Sequence, residues 1–262
     1  MPDRTPTDSS RQLSTIAQQS ANELPINLFA NEVLAIRAGR QTQLRRVIEP
    51  QPDPQNKSAW GHRTGFDISR DGIYWLDKSG RAALPFAKNR YGIAGDLLWG
   101  RETWAHYQTV NDRLLAHGGA IAEVSDGLAG YRADGHDTIR DFKEHVRLMS
   151  GLDFLAIEVN GDRWRQSIHM PRWASRITLE ITGIRAERVQ DIGEEDVRAE
   201  GIIFSHYNTD HFYKAHNIEN PGRYCFEMLW DRINAKRGYS WESNPWVFVI
   251  EFKRLDLENR NG

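Results

Sequence analysis

The chain is short of cysteine, of net charge and of long apolar runs, and each shortage closes off a class of protein. A single cysteine, Cys225, in 262 residues excludes an internal disulfide and any cysteine-built zinc site, and it fits a reducing cytoplasm. Thirty-four Lys and Arg against 36 Asp and Glu leave a net charge of -2, so no global positive field advertises nucleic acid and any anion site has to be a local patch. Mean hydropathy is -0.64. No apolar run has membrane-helix length and no apolar signal-type segment stands behind the N-terminus, so neither membrane insertion nor secretion is expected. A Gly-rich phosphate loop, a Gly-x-Ser-x-Gly elbow and a repeat period are missing too.

What the chain does have is tryptophan, nine in all. Their densest company is the stretch Trp164 to Ile181, WRQSIHMPRWASRITLEI. Its last section, Arg176 to Ile181, alternates polar with apolar side chains, the pattern of a strand with one wet face. Pro171 keeps the preceding segment out of a helix interior. Trp164, Ser167, His169, Arg172 and Trp173 are therefore expected on an irregular lead-in of the kind that presents side chains to a ligand. The plainer alternative makes the tryptophans core and the arginines solvated.

Residues 1–23, rich in Ser, Thr, Gln and Asp, read as a disordered or loosely docked tail, 257–262 as a second tail, and 24–256 as one domain. Helical spacing runs from Leu28 to Ala38 and stops at Gly39; Thr42 to Ile48 reads as a strand carrying Arg45 and Arg46. A surface insertion at about 50–90 holds a hairpin, FDISRDGIYWL, turned at Asp71-Gly72 with short runs on either side. The segment GIAGDLLWGRETWA reads as a buried strand delivering Arg101, Glu102 and Trp104 at its far end. A second insertion, 106–150, carries helical patterns over Tyr107 to His117 and Asp137 to Met149, with YRADGHD as a strand end between them. FLAIEVNG is a further strand. In DIGEEDVRAEG, Asp191 is the expected N-cap, with Glu194 as its capping-box partner and Gly201 as the stop. A helix over Tyr224 to Lys236 and a strand over Trp246 to Phe252 close the order, and Trp230, Trp241 and Trp246 read as core. The fold class is α+β: a small β-barrel with flanking helices and helical insertions.

Histidines His206, His211 and His216 with Asp210 are spaced too far apart for one helical face, and no cysteine supports them, so they are not read as a metal site. No metal or other cofactor is expected.

The blocks AGRQTQLRR (38–46), GDLLWGRETWA (95–105), YRADG (131–135), the tryptophan stretch, QDIGEEDVRAEG (190–201) and NPWVFVIEFKR (244–254) together resemble the ASCH-domain proteins, in the longer form found in bacteriophages and prophages. The resemblance spans most of residues 25–254. It implies a PUA-like barrel, a nucleic-acid or nucleotide-related ligand, and the cytoplasm of a bacterial host. Members that hydrolyse an acyl group from modified cytidine use a lysine, a threonine and a glutamate. Those positions fall on Gln41, Leu44 and Glu200, and only the glutamate is kept. Gln41 is no general base and Leu44 has no hydroxyl; Thr42, next door, faces the other way on a strand.

The expected function is binding of a nucleotide or unstacked base in a cleft, without membrane association. Its ligand-holding residues would be Gln41, Thr42, Arg45, Arg46, Arg101, Trp104, Trp164, Ser167, Trp173 and Arg176. The alternative is a hydrolase acting on a modified nucleoside or RNA, with Glu200, Glu102 or His169 as acid or base. A third reading keeps the barrel as a scaffold for phage assembly or host contact. Arg45 or Arg46 could equally pair with Glu102 or Glu200, and Glu102 could be a structural ion pair.

Overall fold

In the terminal segment WVFVIEF, alternate side chains separate cleanly: Phe248, Ile250 and Phe252 enter one buried cluster, Val247 and Val249 another. A strand apolar on both faces has to be covered on both. It forms the spine of the computed structural model, which describes residues 21–52, 65–76, 82–111, 128–135, 140, 155–159, 163–203, 213–214, 216 and 218–255.

In chain order the elements are β1 (Glu23–Asn27), α1 (Ala30–Arg37), β2 (Gln43–Val47), β3 (Gly65–Ile68), β4 (Ile73–Leu76), β5 (Ala82–Ala87) and β6 (Leu97–Arg101). Then come β7 (Trp104–Asn111), β8 (Leu128–Tyr131), β9 (Leu155–Val159), β10 (Thr178–Arg188), α2 (Glu194–Ala199), α3 (Pro221–Asn234) and β11 (Trp246–Leu255). The main sheet runs β1-β6-β10-β11-β2, antiparallel except where β1 lies parallel to β6. Two smaller antiparallel sheets, β3-β4-β5 and β8-β7-β9, flank it.

One face of the main sheet buries Leu44, Leu98, Leu179, Ile181 and Ile250 with Val33 and Ile36 of α1. The other buries Val247 and Val249 with Val197 of α2 and Phe226 and Trp230 of α3. Each such side chain contributes about 1.5–3 kcal/mol on leaving water. Trp230 and Trp241 are core, as their setting in the sequence implied. The helix α1 stops at Gly39, whose φ of +69° a side chain would resist. For α3, Asn220 accepts the Arg223 N–H at 2.9 Å and Pro221 opens the first turn.

Five expectations change. Among the described residues the main sheet is not a closed barrel, because its edge strands β1 and β2 are not paired with each other. They face one another across a gap bridged by Arg46, whose Nη2 donates to the Asn27 carbonyl at 3.1 Å. Tyr107 to Asn111 belong to strand β7, paired with β8 and β9, rather than to a helix. A pattern that fits both periods was settled by the available partners. Asp191 is not the cap of α2. That helix begins at Glu194 after Gly193, and the Asp191 carboxylate instead accepts the Arg188 N–H. The 50–90 insertion is more than surface: Ile73 and Ala87 enter the main core, and Arg70 grips the buried Asp96 carboxylate. The end of the expected N-terminal tail is docked, since Asn22 hydrogen-bonds Asp96 and Leu97, and β1 starts at Glu23. The helical pattern Asp137 to Met149 lies outside the described residues apart from Arg140, as do residues 1–20 and 257–262, His206, Asp210 and His211. Among the described residues no helix is long and apolar enough to cross a membrane.

Candidate functional site

The gap between β1 and β2 is a cavity of about 430 Å³. Asn27 of β1, Arg45 and Arg46 of β2, Glu32 of α1, and Phe226 and Trp230 of α3 are among its walls, and Gln41 and Glu200 also reach it. Arg45 and Arg46 are neighbours on a strand and so point to opposite faces. Both line the cavity because it follows the exposed edge of β2.

Arg45 faces α2 and α3. Its side chain is 1% exposed, and it reaches Glu200 at 2.9 Å, Asp196 at 3.0 Å and Glu187 at 3.4 Å, over the Phe226 ring. Arg185 joins from β10, level with Arg45 two strands across the sheet, pairing with Asp196 at 3.1 Å and with Glu187 and Glu251. Two guanidiniums thus serve four carboxylates. Glu200 is the most enclosed of the four: burial pushes its carboxyl up to about 7 against the pull of Arg45, and the nearby Glu32 charge adds to the rise. Burial acts upward on Asp196 as well, but Arg45 and its other donors hold that carboxyl below its usual range. Arg45 also buries its Nε–H without a hydrogen-bond partner among the described residues.

Gln41 meets Glu200 in an isolated antiparallel bridge and gives its side-chain N–H to the Gln43 carbonyl at 3.0 Å. Gly201 makes this approach possible: its φ is +76°, and a Cβ there would sit 3.0 Å from the Gln41 side chain. A further hollow of about 320 Å³, beside Leu34 and Ile203, touches the same Gln41 and Glu200 from the other side. Leu44 is fully buried in the main core and contributes nothing polar. Thr42 is exposed and uses only its backbone, between Ala199 and Phe252.

Arg46 is held by both oxygens of Glu32, each at 2.8 Å, and lies over the Phe29 ring. Glu32 simultaneously accepts the Phe29 N–H at 2.9 Å, so the start of α1 is fastened to the edge of β2.

No protein-family model, curated protein or solved structure matches this chain.

The tryptophan stretch does not wall this cavity. It borders a second one, of about 590 Å³, on the far side of Asn27 and Phe29, lined by Glu102, Arg132, Gln166 and Ser167. There Glu102 is clamped by Arg176 through two bonds of 2.8 Å, Arg176 reaches Asp134 at 2.8 Å over the Tyr131 ring, and Arg37 closes on Asp134 at 2.8 Å. Glu102 and Arg176 are therefore a structural pair, not free acid and free cation. Trp104 is 2% exposed and meets Trp173 edge-on at 5.9 Å, so it is core and offers no face to a base. Trp173 is 56% exposed, Trp164 is half-buried, and Arg101 lies over Trp99 at 4.8 Å with its Nη1 on the Ile168 carbonyl. Ser167 and His169 share a 3-10 turn; His169 is exposed and lines neither cavity. The single cleft expected from the sequence is thus two cavities. Arg45, Arg46, Gln41 and Glu200 converge on one, Glu102 and Ser167 on the other.

Glu32, Arg90 and Tyr91 were not anticipated. The tetrad Asn89-Arg90-Tyr91-Gly92 carried the available signal: an Asn-initiated turn displaying an arginine and an aromatic ring.

Proposed function

We propose that the cavity between β1 and β2 holds a nucleobase, free as a nucleoside or unstacked from a nucleic acid. The observation that carries this reading is the Glu200 carboxyl at about 7 on a cavity that Gln41 also lines. Near neutrality such a carboxyl exists in both forms, so together with an amide it can donate and accept side by side, which the edge of a base requires. Phe29 and Tyr91 supply apolar and stacking surface, and the volume falls in the range of small-molecule sites. The resemblance to PUA-like domains supports the same reading, with the barrel left open at the ligand. Calorimetric titration with the four ribonucleosides and N-acetylated cytidine tests it. Binding should change with pH around 7 and weaken about tenfold or more in Glu200→Gln. If none binds, or if Glu200→Gln and Gln41→Ala bind like the parent, the reading fails.

A second reading, hydrolysis of the bound nucleoside, is favoured by the same carboxyl, because a group titrating near 7 is poised as general acid or base. Gln41 would orient the substrate and Glu200 would activate water. Loss of turnover on N-acetylated cytidine in Glu200→Gln, at substrate concentrations that saturate the variant, is the expected result. Unchanged turnover would remove Glu200 from the chemistry.

A further inference from the structure

The charges around the cavity are unevenly spent. Arg45 is committed to three carboxylates and Arg46 to Glu32. Arg90 has no carboxylate partner among the described residues. Arg237 also lines the cavity, and its only acid among the described residues is Glu49, in an exposed pair of 2.8 Å. Such pairs are worth about 0–1 kcal/mol and exchange readily for a better anion.

The loop that carries Arg90 is fixed in place. Asn89 is buried, donates to the carbonyls of Ser69 at 2.8 Å and Gly92 at 2.6 Å, and accepts the Tyr91 N–H at 3.0 Å. The Tyr91 ring packs edge-on against Phe248 at 5.3 Å. Arg46, Arg90 and Arg237 all exert a field on the Tyr91 hydroxyl, which burial nonetheless keeps protonated beyond its usual range. Arg46, Tyr91 and Glu200 all line this one cavity. One end is rich in carboxylate, the other in guanidinium with a phenol donor.

We propose that the Arg90, Arg237 and Tyr91 end binds a phosphate ester, so that the ligand is a nucleotide rather than a free nucleoside. Guanidiniums match phosphate oxygens in pairs, and the Tyr91 hydroxyl can donate a further bond. The inference rests on the nucleobase reading for its other end.

Calorimetry compares each ribonucleoside with its 5′-monophosphate, with inorganic phosphate, and with short oligonucleotides with and without a 5′-phosphate. A nucleotide should bind about tenfold or more tighter than its nucleoside at low salt. Arg90→Gln and Arg237→Gln should erase that advantage and leave nucleoside affinity unchanged. Both side chains are at the surface, and equal melting temperatures would show that the variants fold. Equal affinity for nucleotide and nucleoside overturns the proposal, as does a preference for nucleotide that survives both substitutions. Absence of binding by every probe overturns it together with the base site. Phosphate binding that depends on Arg90 but is indifferent to the base keeps the anion site and discards the base site. An oligonucleotide that needs its 5′-phosphate supports a chain end as the source of the ester, whereas one that binds equally without it supports an internal phosphate, provided Arg90→Gln weakens either.

Discussion

Two arginine and carboxylate clusters are built from the same chemistry and do different things. Beside the second cavity, Arg37 and Arg176 face Glu102 and Asp134, cation for anion, and the ladder ties α1 to β6 and to the turn after β8. Burial acts upward on Asp134, yet Arg176 and Arg37 hold its carboxyl below the usual range. Beside the first cavity, Arg45 and Arg185 face Glu187, Asp196, Glu200 and Glu251, and burial, with the Glu32 charge nearby, lifts Glu200 to about 7 against the pull of Arg45. A matched cluster spends its charges on itself. A mismatched one leaves a group whose protonation a ligand can set, and it is the one that opens onto Gln41 and the gap between the edge strands.

The comparison breaks most visibly at Arg45. Arg45→Met should cost about 3–5 kcal/mol in urea unfolding at neutral pH, since it strands buried carboxylates without their cation. Glu200→Gln should do the reverse. Its folded-state pKa lies above the ordinary 4.5, so wild-type stability is whole below 4.5 and declines as pH rises through 7. The glutamine variant should thus gain up to about 3 kcal/mol above that value and almost nothing near pH 4. A loss at all pH values would show that Glu200 is as matched as Glu102. Trp173→Ala should cost about 1 kcal/mol through its edge contact with Trp104, and calorimetry should find nucleoside affinity unchanged. A fall in affinity would join the two cavities into one site. Asp134→Asn should have the smallest effect, under about 1 kcal/mol in its partly exposed setting. With its folded pKa lowered below 3.8, that contribution is present above this value and fades as pH falls further, which thermal melts across the acid range would follow.

Strands were legible where alternation and turn residues agreed. WVFVIEF, the β3-β4 hairpin and β6 lie where their patterns put them. Tyr107 to Asn111 misled because a short amphipathic run satisfies both periods, and pairing with β8 and β9 decided. Asp191 misled because a 3-10 turn used the carboxylate before the helix began. Of the expected site residues, Gln41, Arg45 and Glu200 line the cavity between β1 and β2, whereas Arg101, Trp104 and Arg176 line neither cavity and are engaged with neighbouring side chains and backbone. The dense aromatic and basic stretch is split in space: Met170 and Ala174 are buried against Trp104, while Ile168 and Trp173 stand exposed.

By itself the sequence determined the local elements, since periods of two and of 3.6 and the capping and turn residues act over a few positions. It also determined that charge is balanced over the whole chain. Only the tertiary structure decided which arginine met which acid, because Arg45 and Glu200 lie 155 residues apart. It alone left β1 and β2 unjoined with the cavity between them. Burial, which sets whether a carboxyl is spent or available, is a property of that assembly and of no single segment.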